Sequence, residues 1–153
     1  MHTMPLHSTC QSINQSINQP PTHLARQVDG IEYAIKVSKN QFRGASQKSS
    51  MLKEVLALAA LADNLSTPHI VRYQNAWCED HRLYIQMELC DECLEGKLYG
   101  PMASGPLPAE ELTLFTRHML LALDAVHSLN VVHLDIKPGN IFIKGGLYKL
   151  GDL

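Results

Sequence analysis

Two adjacent glycines, Gly145 and Gly146, constrain the fold more than any other feature, because they separate two short apolar runs at 141–144 and 147–150. A Gly-Gly pair between two such runs is typical of a β-hairpin with a two-residue turn. A hairpin joins strands that run in opposite directions. The sequence therefore predicts antiparallel sheet in this part of the chain.

The segments before this hairpin show a mixture of strand and helix periodicity. The predicted elements are, in chain order, a strand at 31–37 after the turn Asp29-Gly30, a helix at 48–62, strands at 70–77 and 83–89, and a helix from Pro108 onwards. Proline is favoured at the start of a helix. The last helix has an apolar stripe on one face, formed by Leu112, Phe115, Met119, Leu123 and Val126. This order predicts an α+β fold.

The first part of the chain has a different composition. A tandem Gln-Ser-Ile-Asn repeat at 11–18 is followed by Pro20 and Pro21, and apolar residues show no period of two or 3.6. Such a segment cannot bury enough apolar surface to offset the entropy lost on ordering. We therefore expect residues 1–23 to be a disordered tail and residues 24–153 to form the folded part.

Charge and hydrophobicity exclude several classes of protein. Thirteen Lys and Arg residues against fifteen Asp and Glu residues give a net charge of −2, which does not favour a nucleic-acid partner. The longest apolar run, 55–62, is much shorter than the about 20 residues that a membrane span needs. Cys90 and Cys93 lack the second cysteine pair of a zinc site. We expect a monomer with reduced thiols in the nucleus or cytoplasm.

The segment His133-Leu134-Asp135-Ile136-Lys137-Pro138-Gly139-Asn140 carries the chemistry. A carboxylate at Asp135 can accept the proton of an attacking hydroxyl, and an ammonium at Lys137 can stabilise a transferring phosphate. An amide oxygen at Asn140 can bind magnesium. These are the groups that phosphoryl transfer requires. Asp135 and Lys137 alone could be a surface ion pair, but the full pattern favours a catalytic loop.

This pattern resembles the H-x-D-x-K-x-x-N loop of eukaryotic protein kinases. Asp152, after the hairpin, is similar to the magnesium carboxylate of the D-F-G motif, although Leu153 replaces the phenylalanine. Tyr33-Ala34-Ile35-Lys36 resembles the V-A-I-K strand. The resemblance implies an incomplete two-lobe kinase fold, with a small lobe at 24–89 and the start of the large lobe at 90–153.

The resemblance also implies an ATP site with magnesium. Lys36 would hold the α- and β-phosphates, and Glu54, the one acidic residue of the predicted helix 48–62, would orient the lysine ammonium. Glu54 could instead be a solvated helix residue. Asn140 and Asp152 would be the magnesium ligands.

The segment 86–90 resembles the hinge between the two lobes of a kinase. Backbone groups of Glu88 and Cys90 would bind adenine, and Met87 would be the gatekeeper residue behind it. Ala34 and Phe142 would cover the two faces of the adenine ring. Met87 and Phe142 could also be ordinary core residues, which is compatible with these roles.

Within the kinases, the chain resembles the Wee type, which inhibits cyclin-dependent kinases. Leu134 stands where most kinases have arginine, the strand 71–77 reads Val-Arg-Tyr-Gln-Asn-Ala-Trp, and the loop continues as Asn140-Ile-Phe-Ile. Segments such as 88–90 are similar to the membrane-associated sister branch, so the branch stays open. The resemblance implies a protein substrate, a cyclin-dependent kinase, and no need for a phosphate on the activation loop, because Leu134 cannot pair with one.

One departure limits the resemblance. No G-x-G-x-x-G motif precedes Lys36, and Gly30 is the only glycine before it. We therefore expect a small lobe that lacks its first strand and glycine loop, and exposure of apolar residues such as Leu120 and Leu121 that would pack on a complete large lobe. The alternative to an active kinase is an inactive truncated fragment that acts as a binding module or has no function.

Overall fold

The structure is a computed structural model that describes residues 22–26, 30–38, 67–103 and 105–153, together with single positions at 41, 44, 46, 49, 55 and 59. The chain divides into two compact units. The first, the four-stranded unit, contains residues 1–55 and 74–89, and the second, the helical unit, contains residues 56–73 and 90–153. Most of the predicted tail and of the predicted helix 48–62 lies outside the described residues, although positions 49, 55 and 59 are helical.

The four-stranded unit is a sheet with the strand order β1-β2-β4-β3. Its strands are β1 (Thr22–Arg26), β2 (Glu32–Val37), β3 (Tyr73–Glu79) and β4 (Arg82–Glu88). Strand β1 has no counterpart among the predicted elements; it begins inside the expected tail and pairs antiparallel with β2. Thr22 and His23 therefore belong to the sheet rather than to the tail.

Strand β2 has alternating burial along its length. Ile35 and Val37 are buried and form a small core, against which Trp77 and Tyr84 pack. The rings of Trp77 and Tyr84 stack in parallel with centroids 5.3 Å apart. Because successive strand residues point to opposite faces, Lys36 lies on the face opposite to this core.

The turn between β3 and β4 is shorter than the gap between the predicted strands 70–77 and 83–89. Its two residues, Asp80 and His81, have φ angles of 47° and 59°, which is the left-handed region. Positive φ at both central residues is the geometry of a type I′ hairpin turn, whose twist matches that of the strands. The hairpin therefore keeps Cys78 and Glu79 in strand β3.

The helical unit contains a second sheet with the order β5-β6-β7. In chain order its elements are β5 (Glu92–Cys93), α1 (Leu94–Tyr99), α2 (Ala109–Ser128), a 3-10 turn (Pro138–Asn140), β6 (Ile141–Lys144) and β7 (Leu147–Leu150). The predicted hairpin is confirmed: β6 and β7 are antiparallel, and Gly145 and Gly146 both have positive φ. Helix α1 was not predicted. The Cys93 sulfur caps its first turn by accepting a hydrogen bond from the Gly96 backbone.

The segment before β3 differs from the prediction. Residues 70–72 were expected to begin a strand of the small lobe, but the strand starts at Tyr73. Ile70 instead forms a parallel bridge with Leu150 of β7. The Leu150 amide donates to the His69 carbonyl, and the Val71 amide donates to the Leu150 carbonyl, both at 2.8 Å. These bonds hold the segment in the helical unit.

Helix α2 begins at Ala109, with Pro108 as its N-cap residue. The predicted stripe is largely confirmed, because Met119 and Val126 are buried and Phe115 and Leu123 pack against the same core. Leu112 was expected in this stripe but is 50% exposed. His118 and Ala122, which were not part of the predicted stripe, are buried as well. Leu120 and Leu121 are exposed, as expected.

Tyr148 joins both helices to β7. Its side chain is only 1% exposed, and the Phe115 ring meets it edge-on with centroids 5.2 Å apart. Its hydroxyl donates a 2.7 Å hydrogen bond to Glu111, which also pairs with Lys97 of α1. These bonds from Lys97 and Tyr148 lower the pKa of Glu111, so the carboxylate stays ionised.

Neither helix of the described residues is long and apolar enough to span a membrane.

We predict that Tyr148→Phe lowers the free energy of unfolding by about 1–3 kcal/mol, because the bond that is lost has a charged acceptor. Tyr99 is 76% exposed, so Tyr99→Phe is the matched control and should leave stability unchanged. Urea denaturation followed by circular dichroism measures both. Equal midpoints for the two variants would show that the Glu111 bond does not stabilise the helical unit.

Candidate functional site

The segment that links α2 to β6 carries the predicted catalytic residues. It turns sharply at Leu134, whose φ is 63°, and the Asp135 amide donates to the His133 carbonyl at 2.9 Å across this turn. A residue other than glycine is rarely held in this region of φ. The turn places His133 in the interior, whereas Leu134 is 90% exposed and Asp135 is exposed.

Asp135 lies at the centre of a small polar network. Its Oδ2 atom accepts a 2.6 Å hydrogen bond from Lys137 Nζ and a 2.9 Å bond from Asn140 Nδ2. The bond from Lys137, and then that from Asn140, lowers the pKa of Asp135, and the same contact raises the pKa of Lys137. At neutral pH the pair is therefore an ionised carboxylate beside an ammonium. Such a carboxylate can accept a proton, and such an ammonium can stabilise a nearby anion.

Asn140 is fully buried and its amide has a defined orientation. Nδ2 donates to the Asp135 carbonyl at 2.8 Å as well as to its carboxylate. With Nδ2 used in this way, Oδ1 is the atom of the amide that can ligate a cation. The 3-10 turn Pro138–Asn140 fixes this position directly before β6.

Gly151 connects this loop to Asp152. The His133 Nε2 atom donates to the Gly151 carbonyl at 2.8 Å, and the Gly151 amide donates to the Asn140 carbonyl at 2.9 Å. Asp152 follows with φ of 64° and its side chain is exposed. Asp152 raises the pKa of Lys137, after the larger effect of Asp135, so these charged groups are within electrostatic reach of each other.

The described residues fit a magnesium ion held jointly with phosphates. Magnesium takes oxygen ligands and is usually bound by one or two protein groups, with water and substrate phosphates completing its shell. An amide oxygen at Asn140 and a carboxylate at Asp152 are such a pair. Within the described ranges no cluster of three or more His, Cys, Asp or Glu residues could hold a metal by itself.

The nucleotide residues predicted on the four-stranded unit lie on neighbouring strands. Ala34 is opposite Met87, and Lys36 is opposite Ile85, in the β2–β4 register. Directly opposed residues point to the same face of a sheet, and so do alternate residues of one strand. Ala34, Lys36 and Met87 are therefore brought to one face. Glu88, at the end of β4, is half-buried.

The remaining predicted residues are divided between the helical unit and the undescribed part. Cys90 lies just before β5, and Phe142 in β6 is opposite Cys93 of β5. Phe142 and Cys90 are half-buried. Glu54 lies outside the described residues, so its pairing with Lys36 stays a prediction.

Sequence reasoning missed the importance of Gly151. A Cβ atom at this position would lie 2.7 and 2.9 Å from two atoms of the Phe142 ring and 3.1 Å from Val71. A side chain at this position would therefore require the Phe142 ring to move. The available signal was an isolated glycine at the end of a strand pattern, which often marks a close backbone approach.

Comparison with known proteins supports the kinase resemblance. The protein kinase domain family matches residues 22–153. A Wee1-like protein kinase of Oryza sativa subsp. japonica is 40% identical over 127 residues, which is 83% of this chain and 23% of that protein. Wee1-like protein kinase 2 of Xenopus tropicalis is 39% identical over 124 residues, or 77% of this chain and 21% of that protein. The chain thus spans between a fifth and a quarter of the length of these relatives.

We predict that Gly151→Ala destabilises the helical unit by about 1–3 kcal/mol, the usual cost of overpacking. Phe142→Leu removes the ring atoms that the new methyl group would meet. The double variant should therefore lose less stability than the sum of the two single variants. Urea denaturation of the three variants measures this coupling. Additive losses would mean that the Phe142 ring is not what excludes a side chain at 151.

Proposed function

This chain belongs to the protein kinase family and is of the Wee type, and we propose that the protein carrying it transfers the γ-phosphate of ATP to a protein hydroxyl. The observation that carries the proposal is the network in which Asp135 accepts hydrogen bonds from both Lys137 and Asn140. Protein kinases use ATP with Mg²⁺ and act on protein substrates. The network supplies a proton acceptor, a cation and an oxygen ligand within one short loop.

Each residue of the loop has a distinct task in this proposal. Asp135 orients the substrate hydroxyl and takes its proton. Lys137 stabilises negative charge on the transferred group. Asn140 Oδ1 and the Asp152 carboxylate would hold magnesium, which would neutralise phosphate charge when ATP is bound. The bond that His133 donates to the Gly151 carbonyl and the bond that the Gly151 amide donates to Asn140 support this assignment, since they fix the backbone directly before Asp152.

For the nucleotide, the proposal keeps the residue roles that the kinase resemblance implies. Lys36, oriented by Glu54, binds the α- and β-phosphates, and Ala34 and Phe142 cover the adenine faces. Backbone groups of Glu88 and Cys90 bind the adenine edge, with Met87 behind it. The common face of Ala34, Lys36 and Met87 supports the part of this assignment that lies on the four-stranded unit.

The proposed substrate is a cyclin-dependent kinase, which the protein would inhibit in cell-cycle control in the nucleus or cytoplasm, acting as a monomer. Similarity to Wee1-like kinases supports this. Leu134 bears on activation instead, because an exposed leucine cannot bind a phosphorylated activation loop, in contrast to arginine. Such a kinase would be active without that modification.

We predict that Asp135→Asn lowers phosphate transfer by about 10²–10⁴-fold, the usual contribution of a general base. Nucleotide affinity should stay nearly unchanged, because Asp135 does not touch the phosphates in this proposal. Asp124→Asn, on the exposed side of α2, is the matched control. The measurement is transfer from labelled ATP by the full-length protein. Wild-type activity in Asp135→Asn would contradict the assignment, and no transfer by the wild-type protein would favour the non-catalytic alternative.

We further predict that a cyclin-dependent kinase bound to its cyclin is a better acceptor than a general kinase substrate such as casein. The measurement is incorporation of labelled phosphate into each protein, with Asp135→Asn as the blank. Transfer to casein but not to the cyclin-dependent kinase would leave the kinase proposal standing and reject this substrate.

A further inference from the structure

Two histidines from distant parts of the sequence stack in the interior of the helical unit. His69 precedes the Ile70 bridge, and His118 lies in the middle of α2. Their ring centroids are 4.1 Å apart with an interplanar angle of 25°, and both residues are buried. Histidine is the side chain whose ordinary pKa, about 6.5, lies closest to cellular pH. A proton taken up by one of two stacked, buried rings would therefore weaken the stacking between them.

Both rings bind the backbone of one residue, Tyr148 in β7. His69 Nδ1 lies 3.2 Å from the Tyr148 carbonyl oxygen, and the Tyr148 amide lies 3.2 Å from His118 Nδ1. A carbonyl can only accept, so His69 Nδ1 carries hydrogen. An amide N–H can only donate, so His118 Nδ1 carries none. The two bonds therefore require opposite tautomers and a neutral His118.

The charges around His118 oppose its protonation. Burial lowers the pKa of His118, and repulsion from His69 and from Arg117 on the same helix lowers it further. On β7, the Lys149 ammonium donates to the Ile70 carbonyl. The Glu111 carboxylate of α2 is bound by Lys97 of α1 and by the Tyr148 hydroxyl. The Glu111 carboxylate thus binds the hydroxyl of Tyr148, whereas the two histidines bind the Tyr148 backbone.

We propose that His69 and His118 form a proton-sensitive clasp, which holds strand β7 at Tyr148 while His118 is neutral and releases it when His118 takes up a proton. A proton on His118 Nδ1 removes the acceptor of the Tyr148 amide. It also places a cation against the stacked ring of His69. Both changes weaken the attachment of β7 to α2 and to the segment 69–71.

The clasp is connected to the candidate site through the chain itself. Strand β7 ends at Leu150 and continues directly into Gly151 and Asp152. Release of β7 would therefore loosen the segment that carries Asp152. If Asp152 is loosened, phosphate transfer should slow. That effect rests on the proposed function, whereas the release of β7 does not.

The direction of the pH dependence follows from the lowered pKa. An imidazole in the opened state has a pKa of about 6.5 and takes up a proton more readily than His118 in the closed state. Opening is therefore favoured as the pH falls below about 6.5, by up to about tenfold per pH unit for one proton. Above that pH the clasp stays closed.

The test is hydrogen–deuterium exchange of the full-length protein, corrected for the intrinsic pH dependence of exchange. The protection factor of the Tyr148 amide should be constant between about pH 8 and 7 and fall by up to about tenfold per unit below about pH 6.5. His118→Asn should abolish this fall, because the asparagine Oδ1 atom, bonded to Cγ like Nδ1, accepts the same bond and does not titrate. His127→Asn, at the exposed end of the same helix, should keep it. An unchanged pH dependence in His118→Asn would overturn the proposal.

A second measurement does not depend on a variant that folds. Nitrogen-15 spectra of histidine-labelled wild-type protein distinguish the two neutral tautomers. We expect His69 with hydrogen on Nδ1 and His118 with hydrogen on Nε2. The reverse assignment, or a protonated His118 at neutral pH, would overturn the proposal. Because neither measurement uses activity, an inactive protein with a working clasp would reject the proposed function alone.

Discussion

The two backbone bonds of Gly151 are the interaction on which the candidate site depends. Its carbonyl accepts from the His133 ring and its amide donates to the Asn140 carbonyl, so the loop at 133–140 and the start of Asp152 are held from both sides. The close approach of the Phe142 ring and Val71 leaves room only for glycine at this point. One residue without a side chain thus fixes the backbone position from which the chain continues into Asp152.

The parts of the fold that sequence predicts well are those fixed by local chemistry. The Gly145-Gly146 turn and the loop network of Asp135, Lys137 and Asn140 involve residues only a few positions apart, so spacing alone indicates their contacts. Helix α2 is similar, because its 3.6-residue period identifies the buried face. Its first turn is the exception: Leu112 has the right spacing but no described element covers it.

The parts that sequence does not predict depend on contacts between distant residues. Ile70 has the sequence pattern of a residue in strand β3, yet it forms a bridge with Leu150 of β7. Only the tertiary structure shows that Ile70 belongs to the helical unit. The stacking of His69 on His118, and their shared attachment to Tyr148, likewise leave no local signal. Single histidines at these positions suggest ordinary core or surface residues. Their chemistry becomes apparent only when the three segments are seen together.

The candidate site also contains strained backbone, and the free energy of its hydrogen bonds is similar to the free energy of this strain. Leu134 and Asp152 both have left-handed φ angles, at a cost of about 1–2 kcal/mol each. The bonds that flank them are the two to Gly151 and the two from Asn140 Nδ2 to Asp135. At about 0.5–1.5 kcal/mol each, four such bonds offset a strain of this size without a large surplus. Loss of any one of these bonds removes support from a strained backbone, and the attachment of β7, just before Gly151, bears on the geometry of Asp152 for the same reason.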